Sequence, residues 1–228
     1  MADHVLDNPI WESLRSRHRA LSLRSGDVAR YPAQVAPFLG VATDGVDAGA
    51  ALTQLVPAGD TVLLLAVTPA VPDGWRLEKL AMLAQMECTQ HMAEVEGPPI
   101  LELGEAHRHD VLELTALVYP HYFRPHTMDL GRYFGIYQDG RLAAIIGERM
   151  GMDEFQEISA VCTHPDFNGR GYARHLLAWL SNDVLDRGRT PFLHVAHENQ
   201  RAKQLYELGG YRDRRDIGFW SLRQADTL

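Results

Sequence analysis

The stretch Glu157-Ile-Ser-Ala-Val-Cys-Thr163, continued through His164-Pro165 into Asn168-Gly-Arg-Gly-Tyr-Ala173, decides how the rest of the chain is read. Its first part is apolar and rich in β-branched residues, which predicts a strand. Beyond the glycines, Ala173, Leu176, Leu177, Leu180, Val184 and Leu185 fall on one face of an amphipathic helix that ends at Arg187-Gly188. Strand, glycine loop and helix in that order set free N–H groups and the positive end of a helix dipole beside a backbone that can turn its own amides inward. The segment is therefore either a phosphate cradle or a tight strand-to-helix turn. It is neither of two common nucleotide motifs. A Rossmann fingerprint asks for a small residue where Arg174 stands, and the chain has no Gly-Lys-Ser/Thr of a Walker loop.

Working outward, Arg132-Tyr-Phe-Gly-Ile-Tyr137 and Arg141-Leu-Ala-Ala-Ile-Ile146 are joined through Asp139-Gly140, which predicts a hairpin. Phe192-Leu-His-Val-Ala196 predicts a short buried strand. Asn199 predicts the cap of a helix carrying Ala202, Leu205 and Tyr206, and Gly209-Gly210 its end. Ile100-Leu-Glu-Leu103 and Asp216-Ile-Gly-Phe-Trp-Ser-Leu222 predict the first and last strands of this part, with a helix over 110–119. Before Gly97-Pro98-Pro99, Asn8-Pro9 predicts a capped helix start, 48–56 a short helix, and 38–42 and 61–67 strands. Residues 75–94 fit a helix and a strand equally. Interleaved strands and helices make the fold class α/β (α+β). The Gly-Pro-Pro break divides it into an amino-terminal domain, 1–97, and a larger domain, 98–228.

With 30 acidic against 22 basic side chains, a net charge of −8 and a pI near 5.7, the chain lacks the basic balance of a general nucleic-acid binder. Two cysteines, Cys88 and Cys162, make no disulfide framework and fit a reducing cytoplasm. No basic segment followed by an apolar run opens the chain, and Val62-Leu-Leu-Leu-Ala-Val67 falls far short of the ~18 residues of a membrane span. The expectation is a cytoplasmic protein that binds neither nucleic acid nor membrane.

Residues 100–225 resemble the GCN5-related N-acetyltransferase (GNAT) superfamily, most closely its FR47-like branch. The resemblance is carried by Tyr133-Phe-Gly-Ile136, Gly147-Glu-Arg-Met150, Glu157 through Pro165, Gly169 through Ala173, Pro191-Phe-Leu-His-Val195 and Asn199 through Tyr211. It implies the GNAT fold, a mixed and mostly antiparallel central sheet flanked by helices, and acetyl-CoA or another acyl-CoA as co-substrate, with no metal. It implies a pantetheine arm running beside the strand that ends in Val161, Cys162 and Thr163. Backbone amides of Asn168, Gly169, Arg170, Gly171, Tyr172, Ala173 and Arg174 are implied to hold the pyrophosphate, and Asn199 and Tyr206 to flank the thiol. The whole-chain layout is similar to glycine N-acyltransferase-like proteins, which implies that 1–97 is a smaller, degenerate GNAT-like domain. Three positions depart from the pattern. Asp166 stands where Gln or Arg often opens the pyrophosphate signature, Asn168 where a basic residue commonly precedes the first glycine, and Gly209-Gly210-Tyr211 where Leu-Gly-Phe is commoner.

Acyl transfer from a thioester to an amine requires a route for the amine proton, a donor to the oxyanion and an acid for the thiolate. Glu157 matches where some superfamily members place a general base, acting directly or through water. Glu148, on the preceding strand, is its rival and a candidate acceptor-binding residue. The backbone N–H of Val161 or Cys162 is the candidate oxyanion donor, and Tyr206, a phenol of ordinary pKa ≈ 10, the candidate acid. The aromatic loop 119–126 offers Tyr122 and Phe123 to the acceptor. Each has a plainer reading: an ion-paired strand carboxylate, a packing aromatic, a hydrophobic lid. Cys162 is expected to be a small buried hydrophobe and not a nucleophile. Of the 11 histidines, His194 and His197 should face opposite sides of a strand, and His107 and His109 lack a third ligand, so no metal site is expected.

The expected activity is N-acetyl transfer to the primary amine of a small molecule or amino acid, by direct attack in a ternary complex, in a monomer or homodimer. The alternatives are a longer-chain acyl-CoA:amino acid N-acyltransferase and a non-catalytic acyl-CoA sensor.

Overall fold

Residues 4–118 and 122–225 are described by the structure, a computed structural model. In chain order the elements are α1 (Pro9–Arg15), β1 (Leu23–Ser25), β2 (Val28–Arg30), β3 (Leu39–Val41), α2 (Gly49–Leu55), β4 (Thr61–Leu65), β5 (Trp75–Glu87) and β6 (Leu101–Leu103). There follow α3 (Arg108–Val118), β7 (Tyr133–Gln138), β8 (Arg141–Gly151), β9 (Phe155–Thr163), α4 (Tyr172–Asp186), β10 (Thr190–Ala196), α5 (Gln200–Leu208) and β11 (Arg212–Gln224). No helix among the described residues is long and apolar enough to cross a membrane.

The chain packs as two units, Met1–Leu83 with Asp216–Leu228, and Ala84–Arg215. Gly97-Pro98-Pro99 lies inside the second unit and does not mark where the units part. A Gly-Pro-Pro run interrupts local structure, but here both Val95 O and Pro98 O bond to the His175 ring of α4, which ties the segment into that unit.

In the first unit β1, β2 and β3 form an antiparallel sheet, and β4 pairs antiparallel with 219–223 of β11. Leu39, Leu52, Val62, Leu64 and Leu222 meet in its core. Pro9 opens α1 as its fixed φ favours. Asn8 does not cap it, because its side-chain amide donates instead to Val41 O at 2.7 Å. The ambiguous stretch 75–94 resolves as strand up to Glu87.

In the second unit the strand order is β11, β5, β10, β9, β8, β7, β6. The pairs from β6 to β9 are antiparallel and β9–β10 is parallel, so the sheet is mixed and mostly antiparallel. The Asp139-Gly140 hairpin forms with both residues at positive φ, 54° and 73°. Helices α4 and α5 cover one face, where Leu176, Leu177, Leu180 and Tyr206 pack on Ile146, Ile158, Leu193 and Val195. Helix α3 covers the other, where Val111 and Leu114 pack with Leu103, Tyr133, Ile145 and Cys162.

Strand β9 carries two irregularities that shape the site. Its register against β8 steps from Ile145↔Cys162 to Gly147↔Ser159, two residues on one strand opposing three on the other. The extra residue sits at Ala160, held at φ 52°, a left-handed conformation rare for alanine and characteristic of a bulge. Strand β9 also pairs with β10 over three positions only, ending at Phe192↔Glu157. Beyond that fork the two strands run on to Thr163 and Ala196 without further pairing to each other, which leaves an edge of β9 backbone open inside the sheet.

Candidate functional site

The open edge of β9 leads into a cavity of about 630 Å³, a volume in the range of small-molecule and cofactor sites. Its wall brings together Val161 and Thr163 of β9, the whole loop 168–174, and Asn199 and Tyr206 at α5. Gly169 and Gly171 stand at φ 77° and 79°, so glycine is required there by backbone conformation. A Cβ built on either meets nothing within 4 Å, so the space above the loop is open. Gly171 is the N-cap of the 15-residue α4, and no side chain caps that end. Its first-turn N–H groups and the dipole's positive end therefore face the cavity wall free for an anion.

The two charge departures in this loop are offset nearby. Asp166 is paired with Arg141 at 3.0 Å. Arg170, Arg174 and Arg201 line the cavity and supply the cationic field that position 168 does not. Asn199 caps α5 as expected, its side chain accepting from Ala202 N at 3.2 Å, which fixes the helix that presents Tyr206. The Tyr206 ring rests 6.0 Å from that of Tyr211, whose hydroxyl is tied to Ser181 Oγ at 2.8 Å. Tyr206 is thus held both by packing and by its helix.

Five predicted residues lie outside this wall. Cys162 turns its side chain into the α3-side core, where burial pushes the thiol up to about 12 and leaves it inert; only its backbone remains relevant. Tyr122 and Phe123 are half-buried, and Phe123 meets Tyr133 edge-on at 5.7 Å. Positions 119–121 of the same loop lie outside the described residues.

The two candidate carboxylates sit on opposite faces of the sheet. Glu148 shares the α4 face with Ile158, its register partner, and binds Arg132 and Arg187, which also hold Asp183 near the end of α4. At 1.5 Å per residue, Asp183 is roughly 18 Å along α4 from Gly171. Burial pushes the Glu148 carboxyl up, but the two arginines outweigh it and leave it below its ordinary value.

Glu157 is at the fork itself and wholly buried. Its oxygens accept from Arg149 Nε at 2.7 Å, Arg149 Nη2 at 2.6 Å, Met150 N at 3.2 Å and His194 Nδ1 at 2.7 Å. That fills the roughly four lone-pair sites of a carboxylate. Burial pushes this group up as well, yet Arg149 and His194 bring it down to about 2. Gln85 Nε2 meets His194 Nε2 at 3.0 Å, and Gln85 Oε1 accepts from Arg214 Nη1 at 2.8 Å. Because arginine only donates, the Gln85 amide must donate to His194, which is then the neutral Nδ1–H tautomer. One polar residue from each of β11, β5, β10, β9 and β8 thus forms a row across the α3 face, with every donor directed toward Glu157.

From the sequence His194 stands out only as a metal-ligand candidate, and Arg149 has no role of its own. The signal available was a polar residue between apolar neighbours on each strand, but matching those residues requires the register. Among the described residues no three His, Cys, Asp or Glu side chains converge on a metal position.

Residues 133–220 match the family described as FR47-like protein. The chain is similar to an acetyltransferase described as being from the GNAT family of Novosphingobium aromaticivorans DSM 12444, with 34% identity over 98% of this chain and 100% of that one and a TM-score of 0.90. It is similar in fold to a GCN5-related N-acetyltransferase from Kribbella flavida, at 16% identity, 92% and 91% coverage and a TM-score of 0.59. It also resembles in fold a GCN5-related N-acetyltransferase-like protein from Streptococcus suis 89/1591, at 18% identity, 82% and 78% coverage and a TM-score of 0.52. No curated protein matches the chain.

Proposed function

Because the chain belongs to the GNAT superfamily, in its FR47-like branch, we propose that it transfers an acetyl group from acetyl-CoA to the primary amine of a small molecule or amino acid. The observation that carries this reading is the single cavity joining two left-handed glycines at an uncapped helix N-terminus, an open strand edge and a phenol. The amides of 168–174, with Arg170, Arg174 and Arg201, bind the pyrophosphate. The open edge of β9 at Val161 and Thr163 pairs with the pantetheine amides, and the Val161 or Cys162 N–H donates to the carbonyl oxygen as charge develops on it.

The amine nitrogen attacks the carbonyl carbon directly, and the C–S bond breaks as the tetrahedral adduct collapses. Tyr206 gives its proton to the departing sulfur and regains one from solvent, while the nitrogen, which has shed its ammonium proton before attack, loses a second as the amide forms. Glu157, with its lone pairs filled, is a fixed anion at the fork that favours an ammonium nearby and holds His194; both protons that the nitrogen gives up leave to water. Glu148 lies across the sheet and braces α4.

Calorimetric titration with acetyl-CoA tests the donor site. The parent should bind and Gly171→Trp should not, with circular dichroism confirming that the variant is folded. A folded parent that binds no acetyl-CoA overturns the reading. Binding without thiol release in the presence of amines turns it toward a sensor.

A further inference from the structure

Three buried side-chain polar atoms among the described residues have no hydrogen-bond partner: Ser22 Oγ, Tyr133 Oη and Trp220 Nε1. Only Tyr133 belongs to the unit that holds the cavity. It opens β7 and is 1% exposed. A phenol left unbonded in the interior costs about 1–3 kcal/mol, and phenylalanine would fill the same space without that cost. The hydroxyl therefore needs an explanation.

Its direction supplies one. Tyr133 pairs with Gly147, and Gly147 with Ser159. A Cβ on Gly147 would stand 2.3 Å from Tyr133 Cε1 and 2.7 Å from Cζ, so the ring lies across β8 and fills the place of the missing side chain. The hydroxyl consequently reaches toward β9 where the Ala160 bulge sits. It extends the polar row by one strand: Arg149 and Glu157 are the charges with most influence on the phenol, which burial keeps protonated. An amine arriving here needs an acceptor. Glu157 is saturated, Glu148 is on the other face, and Arg149 can only donate. The buried Tyr133 oxygen is the one without a partner.

We propose that Tyr133 Oη is the hydrogen-bonding seat of the acceptor's amino nitrogen, on the α3 side of the β9 edge. This rests on the acetyltransferase reading. The Phe123 ring packs edge to face with that of Tyr133, and the acceptor displaces Phe123 on entry to reach the buried hydroxyl.

Parent and Tyr133→Phe are compared in three measurements: thermal midpoint, calorimetric affinity for acetyl-CoA, and thiol release from saturating acetyl-CoA with ethylamine or glycine as the probe. Tyr133→Phe should keep or raise the midpoint and leave acetyl-CoA affinity unchanged. It should lower kcat/KM for either amine by about tenfold, mostly through KM, as loss of one hydrogen bond predicts. An unchanged kcat/KM overturns the seat. So does a midpoint lowered by several degrees, which means that the hydroxyl is bonded within the protein. A parent that binds acetyl-CoA but releases no thiol with either amine also overturns it, because the seat addresses the bare amino group. A parent that binds no acetyl-CoA removes the underlying reading itself, which distinguishes the two failures.

Discussion

The two faces of the β8–β9 pair each carry an arginine–glutamate cluster, and the clusters do different things. On the α4 face Glu148 sits with Arg132, Arg187 and Asp183, whose side chains are 28–32% exposed, so water reaches the cluster and its two acids balance its two bases. On the α3 face the Glu157 side chain is 0% exposed, His194 2% and Arg149 17%, and a single guanidinium balances the carboxylate. The first behaves as a clasp from sheet to helix end. The second is a desolvated charge whose neutral neighbours are ordered around it. The lesson is that the same pair of residue types is replaceable where water can re-enter and is not where it cannot.

The sharpest way to break the comparison is Arg149→Met, which leaves Glu157 buried without a cation. We expect a loss of about 3–5 kcal/mol in urea unfolding, the usual cost of orphaning a buried charge. A loss under about 1 kcal/mol would mean that the buried carboxylate does not depend on the guanidinium, and the two faces would then be alike.

Acid titration comes next. The Glu157 carboxyl is lowered from 4.5 to about 2 on folding, so its contribution is present above the unfolded value and disappears as pH falls through the folded one. That contribution is about 3 kcal/mol at neutral pH. Stability of the parent should therefore decline between about pH 4.5 and 2, and Glu157→Gln should flatten that decline while lowering stability at pH 7. A parent curve that Glu157→Gln leaves unaltered in shape contradicts the assignment.

Glu148→Gln is the smallest change, about 1–2 kcal/mol, since the cluster keeps Asp183 and water can solvate both arginines. Its effect should shrink in high salt, whereas that of Arg149→Met should not. Equal salt sensitivity at the two sites would erase the distinction between them.

What the sequence made legible was whatever local chemistry decides. Asp139-Gly140 turned the hairpin, Gly169 and Gly171 took up the left-handed backbone, and Asn199 capped its helix. Asn8 had the right residue type at the right place but found a stronger partner in Val41 O, which lies far along the chain. The state of Glu157 was hidden for the same reason: its partners come from β8 and β10, and only strand register brings them together. Ala160 gave no warning at all, since alanine carries no preference for the conformation that it adopts.

That alanine also sets the phase of the strand. Ile158 and Val161 face the helices α4 and α5, while Ala160 and Cys162 face α3, so the odd–even rhythm of side chains reverses across one residue. Strand β9 is in effect two strands written in different frames. Deleting this single methyl-bearing residue would merge the two frames into one: Ser159 and Val161 would become neighbours in ordinary alternation, every side chain would keep its face, and β9 would lose the kink that the left-handed residue puts beside the cavity.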